Sequence, residues 1–139
     1  MPLKDATVAA AYMRKWRERA RATGMCDACH SSPATIAKKC ERCHERALGY
    51  RRAIKREALD HYGGRCVCCG EGNDAFLSFD HINNDGAQMR RSIPSTNGGV
   101  GLHYWLRRNG YPDIFQVMCF NCNYAKHHLG ACPHQSTEE

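Results

Sequence analysis

The sequence predicts a small α+β fold stapled by its own cysteines, with a basic helix and a cysteine ribbon ahead of a strand–strand–helix module. Three observations carry this. Ten cysteines stand among 139 residues, eight of them in four Cys-X-X-Cys pairs. Helical signals mark residues 5–22 and 44–62, whereas the chain after Gly64 sets short apolar runs between turn signals. Mean hydropathy is −0.62, too polar for a large apolar core at this length. No apolar run approaches a membrane span, and Met1-Pro2-Leu3-Lys4 lacks a signal-peptide core, so a cytoplasmic setting without membrane association is expected. There, paired Cys-X-X-Cys motifs read as zinc sites rather than disulfides.

Residues 5–22 predict the first helix, capped by Asp5 or Thr7, filled by alanines and stopped at Gly24. Tyr12 and Trp16 lie one turn apart, and Arg14, Arg17 and Arg21 belong to a basic surface around them. Cys26/Cys29 and Cys40/Cys43 follow, ten residues apart, as a closed four-thiolate zinc ribbon; His30 and His44 are spare. Residues 44–62 predict a second helix. Tyr50, Ile54, Ala58 and Tyr62, with Leu59, form its buried stripe, while Arg51, Arg52 and Arg56 crowd its first half. The boundaries read 1–45 for helix and ribbon, 46–65 for a connecting basic helix, 66–134 for the second module and 135–139 for a tail.

Within the second module, 75–79 predict a strand ending at Asp80-His81, and Asn83-Asn84-Asp85-Gly86 a turn. An exposed loop is expected over 86–100, where Arg90 and Arg91 could reach phosphates. A short helix over 101–108, a strand over 115–118 and a helix from Cys122 to His128 complete it, with a loose segment from Gly130 onward. Cys66/Cys69 with Cys119/Cys122 predict a second structural zinc, tying the Asp80-His81 strand to the final helix. Cys68 is expected to pack rather than ligate, and Cys132 to be a free thiol.

Charge is divided unevenly. Residues 1–65 hold 15 Lys and Arg against 7 Asp and Glu, and residues 66–139 hold 5 against 7. A basic half joined to a metal-ready acidic half suits a polyanionic partner, and a basic face can also be merely solvated. Neighbours on a strand point to opposite faces, so one of Asp80 and His81 can hold a metal while the other meets a water. Asn123 and His127 are one helical turn apart. Asp80, Asn123 and His127 thus make a cage for a hard divalent cation, leaving His81 as general base. His128 competes with His127 for that place, because one residue turns a side chain about 100° around a helix.

The runs Gly64-Arg65-Cys66-Val67-Cys68-Cys69-Gly70-Glu71, Leu77-Ser78-Phe79-Asp80-His81-Ile82-Asn83, Tyr104 to Pro112 and Phe115 to Lys126 occur in the order seen in the HNH endonucleases of the ββα-metal superfamily. The chain resembles the small phage-type members over residues 58–134. The resemblance implies a ββα-metal module in a bacterial or phage-infected cell. It implies DNA hydrolysis leaving 5′-phosphate and 3′-hydroxyl ends, with His81 as base and Asp80 and Asn123 on one catalytic cation. Magnesium or manganese fits that set, and His127 would admit nickel or zinc. No small-molecule cofactor is implied. Two departures stand out: Asn123 occupies the place of the family's final histidine, and the middle asparagine would fall near Ile114. Asn84, Asn97 and Asn109 are the candidates to replace it. The rival expectation is a non-catalytic, zinc-stapled nucleic-acid-binding module whose nuclease site has decayed.

Overall fold

A computed structural model describes residues 5–93 and 99–135. Asp5 opens the first helix: its carboxylate accepts the Thr7 amide at 2.8 Å and the Val8 amide at 3.4 Å. Those are two of the N–H groups that a helix start leaves unpaired. Helix α1 then runs Ala6–Ala22, and Gly24 follows with φ +67°. The chain divides into two compact units, Met1–Tyr50 and Arg51–Glu139, and the division falls inside helix α2, Glu41–His61. The first turn of α2 carries Cys43 of the first cysteine group, whereas Ile54, Ala58 and Leu59 are buried further along.

The first unit has cysteine as its core. Cys26, Cys40 and Cys43 are buried together with Cys29 packed against them, between two short bridges, Met25 to Pro33 and Ile36 to Lys39. Trp16 stacks on His30 with ring centroids 3.8 Å apart, so His30 packs against α1.

In the second unit, strand β1 (Leu77–His81) pairs antiparallel with β2 (Phe115–Cys119). Helices α3 (Gly86–Ser92) and α4 (Gly99–Arg108) lie between them in sequence. Helix α5 (Phe120–Leu129) leaves β2 directly and contacts both strands. The Cys119 thiol caps α5, accepting the Cys122 amide at 3.4 Å. One core cluster joins Leu59, Leu77, Val117 and Met118 to four cysteines; another joins Ala58, Leu106 and Phe115, with Leu102 and Trp105 packed on it. The result is a mixed fold with a two-stranded antiparallel sheet. Among the described residues no helix is long and apolar enough to cross a membrane.

Four expectations are corrected. The strand begins at Leu77 rather than residue 75, because the Asn73 side chain takes the Ala75 amide and Phe76 closes a turn onto the Asn73 carbonyl. The expected loop over 86–100 begins as α3: Ala87, Gln88, Met89 and Arg90 favour helix, and Met89 packs on the Phe115 cluster. Residues 94–98 lie outside the described residues. Tyr50 is 52% exposed and does not join the apolar stripe of α2. The segment after Gly130 is not loose where it is described: Cys132 is buried and Pro133–Gln135 form a 3-10 turn, while residues 136–139 lie outside the described residues.

Candidate active site and cysteine centres

The antiparallel register decides what surrounds the end of β1. Asp80 lies opposite Gln116 and His81 opposite Phe115. Cross-strand partners share a face. The Gln116 amide therefore donates to Asp80 Oδ2 at 2.7 Å, and the His81 ring sits 4.5 Å from that of Phe115. Past His81 the chain turns through Asn84, whose φ is 57°. A cavity of about 310 Å³ opens there, lined by Phe79, Asp80, His81, Asn84, Gly86, Ala87, Arg90, Leu102, Asn123 and His127.

Asp80 is 6% exposed. Its Oδ2 also accepts from Lys126 Nζ at 2.6 Å, and the same ammonium donates to the His81 carbonyl at 2.9 Å and the Ile82 carbonyl at 3.3 Å. The sequence reading overlooked Lys126; the signal was there, since residues 123, 126 and 127 share one face of a helix. Asn123 Nδ2 donates to Ser78 Oγ at 3.0 Å, and that hydroxyl donates to the Met118 carbonyl at 3.0 Å. The amide is thereby oriented, with its carbonyl oxygen left as the acceptor. His127 lines the cavity, while His128 packs on Tyr124 with ring centroids 4.1 Å apart.

His81 Nε2 lies 3.1 Å from Met89 Sδ. Burial lowers its pKa below the usual histidine value; Asp85 and Asp80 oppose this, and Arg90 and Lys126 add to it. The imidazole is thus neutral, and a proton acceptor, at neutral pH. Gly86 is the second residue the sequence reading missed. A Cβ there would stand 2.7 Å from His81 Nδ1, so the ring's seat requires glycine.

Of the asparagines considered for the motif's middle position, Asn84 lines the cavity. Asn109 instead donates to the Trp105 carbonyl at 2.7 Å, and Asn97 lies outside the described residues. The Ile114 carbonyl accepts the Ile82 amide at 3.1 Å.

Among the basic residues, Arg90 lines the cavity and Arg91 is exposed on α3. Arg14, Arg17 and Arg21 are exposed on α1, and Arg51 and Arg52 on α2. Arg56 differs: Asp60 and Asp74 both hold its guanidinium, so its charge is spent within the fold.

All ten cysteines are free thiols, and they gather into groups that can hold metal ions. One is Cys26, Cys29, Cys40 and Cys43; another is Cys66, Cys69, Cys119 and Cys122. Cys29 and Cys40 sulfurs are 3.8 Å apart, and those of Cys69 and Cys119 are 3.7 Å apart. A tetrahedral zinc thiolate site has sulfur–sulfur edges of about 3.8 Å. Backbone amides favour the thiolate form of the leading cysteine in each group. Burial pushes Cys26 up, but the Cys40, Ala28 and Cys29 amides bring it down to about 6. Cys66 comes to about 7 in the same way, through the Cys119, Cys69 and Cys68 amides. As expected, Cys68 packs against the apolar cluster and Cys132 is a free thiol. With His134 they close on Cys122 as a third group, because the chain doubles back after α5.

No protein-family model, curated protein or solved structure matches this chain at a significant level.

Proposed function

We propose that this chain is a metal-dependent endonuclease of the HNH type that hydrolyses DNA phosphodiester bonds. The observation that carries this is the convergence of Asp80, His81, Asn123, His127 and Arg90 on one cavity at the end of a strand. The donors fit a divalent cation. Asp80 keeps Oδ1 beyond the two bonds made to Oδ2, Asn123 keeps its carbonyl oxygen, and His127 adds an imidazole. Two oxygens and a nitrogen suit magnesium or manganese and admit nickel or zinc. When bound, such a cation supplies positive charge to the scissile phosphate and the departing 3′-oxygen.

The remaining work falls to the chain's own groups. His81, neutral through burial, takes the proton of the attacking water. Arg90 presents a planar fork of donors to phosphate oxygens at the cavity wall. Lys126 fixes the end of β1 by holding Asp80 and two carbonyls at once. Arg14, Arg17, Arg21, Arg51, Arg52 and Arg91 add affinity that does not depend on base sequence. The two four-cysteine groups hold structural zinc.

One observation favours a second reading, a zinc-stapled nucleic-acid-binding module without catalysis. Lys126 already places a positive charge 2.6 Å from Asp80 Oδ2, beside the proposed cation position. Nicking of supercoiled plasmid, with and without added magnesium or manganese, separates the two. Cutting that requires the added cation and disappears in His81→Ala is the expected result. DNA binding without cutting under either cation would establish the second reading instead.

A further inference from the structure

Cys68, Cys132 and His134 stand outside the two four-cysteine groups, yet their ligand atoms meet around Cys122. His134 Nδ1 lies 3.4 Å from the Cys122 sulfur, 3.5 Å from that of Cys132 and 4.0 Å from that of Cys68. All four ligand atoms fall within 4.8 Å of one another. Zinc bonds of about 2.3 Å to sulfur and 2.0–2.1 Å to nitrogen give sulfur–nitrogen edges of about 3.6 Å in a tetrahedron. The three distances bracket that edge.

We propose that Cys122 is a bridging thiolate in a binuclear zinc cluster. One ion is held by Cys66, Cys69, Cys119 and Cys122, and a second by Cys68, Cys122, Cys132 and His134. None of these seven residues lines the Asp80–His81 cavity, so the cluster stands whether or not the chain cuts DNA.

Charge and connectivity both fit. The second ion arrives with two further thiolates, Cys68 and Cys132, and a neutral imidazole, so the net charge of the cluster is unchanged. Six cysteines serve two ions in Zn₂Cys₆ modules in the same way, by sharing thiolates. The odd spacing of Cys66-Val67-Cys68-Cys69 also finds a use: neighbouring cysteines turn to different ions. Cys119 and Cys122 anchor the start of α5, and Gly130, at φ 82°, reverses the chain so that Cys132 and His134 return to the same cluster. The helix that carries Asn123, Lys126 and His127 is then tethered at both ends.

The test is metal stoichiometry on the full, reduced chain by native mass spectrometry and elemental analysis. Three zinc ions per chain are expected, one of them in the first unit. His134→Ala and Cys132→Ser should each retain two, with far-UV circular dichroism preserved. After exchange with cadmium-113, two resonances should be scalar-coupled to each other through the shared sulfur, and the third should be uncoupled. Two ions in the unmodified chain, a Cys68–Cys132 disulfide, or three cadmium resonances without mutual coupling would each overturn the bridge.

Discussion

His81 is surrounded on three sides: Met89 sulfur at Nε2, the Phe115 ring beside it and Gly86 under Nδ1. Under the proposed mechanism, His81→Ala removes the base alone. A loss on the order of 10²–10⁴-fold in cleavage rate is expected, with the half-saturating cation concentration unmoved. Asp80→Ala should instead shift that concentration upward, so excess manganese partly restores cutting. Wild-type cleavage by His81→Ala would refute the base assignment. Because burial lowers the His81 pKa, the acid limb of the rate profile should fall below the usual histidine value of about 6.5. Gly86→Ala offers a control on the ring's position. Its Cβ meets His81, and overpacking of this kind costs about 1–3 kcal/mol, so both melting temperature and cleavage should drop. A fully stable, fully active Gly86→Ala protein would mean the ring is free to move aside. His103 bears on stability rather than chemistry. Burial, then Lys55, lowers its pKa to about 4. Between that value and about 6.5 the unfolded chain binds a proton that the folded chain refuses, so stability decreases as pH falls through this window. Urea midpoints for the wild type and His103→Gln should therefore converge toward acid pH.

At the scale of elements, α1 and the start of α2 hold exposed arginines with few apolar residues to bury. Arg14, Arg17 and Arg21 recur at three and four residues, which places them on one stripe of α1. If all three meet phosphates, changing them to Gln should flatten the plot of log affinity against log salt by about 2.7 units of slope. An unchanged slope would identify the stripe as a solvated face. Arg56 belongs in a different class despite its neighbours: two aspartates occupy it, so it should contribute little to the salt slope. Element identity followed local chemistry closely where caps were strong. Asp5 set the start of α1, and Gly24 and Gly130 stand just past helix ends. It failed at α3, where turn signals on one side concealed seven helical residues stabilised by packing of Met89.

Across the molecule, cysteine does what aliphatic side chains do in larger domains. Among the described residues sixteen hydrophobics are buried, and seven of them are cysteines. The cysteine groups could hold zinc, and a structural zinc supplies folding free energy directly, so under the proposed zinc content its removal should unfold the chain. A strong zinc chelator with reductant is expected to abolish the cooperative melt and most helical dichroism, with zinc but not magnesium restoring both. Unchanged dichroism in metal-free protein would show that the apolar clusters suffice. Sequence alone determined the four Cys-X-X-Cys pairs, the capped helices and the Asp80-His81 pair. These depend on spacing and on hydrogen bonds within a few residues, and such chemistry is written locally. It also set Asn123 and His127 on one helix face by their one-turn separation, and both line the Asp80 cavity. Only the tertiary structure decided that Gln116 and Lys126 hold Asp80, that Gly86 seats His81, and that Cys68, Cys132 and His134 gather at Cys122. Each of those contacts joins segments whose approach is set by strand register or by chain reversal after a helix, and neither is encoded in the spacing of the residues that meet.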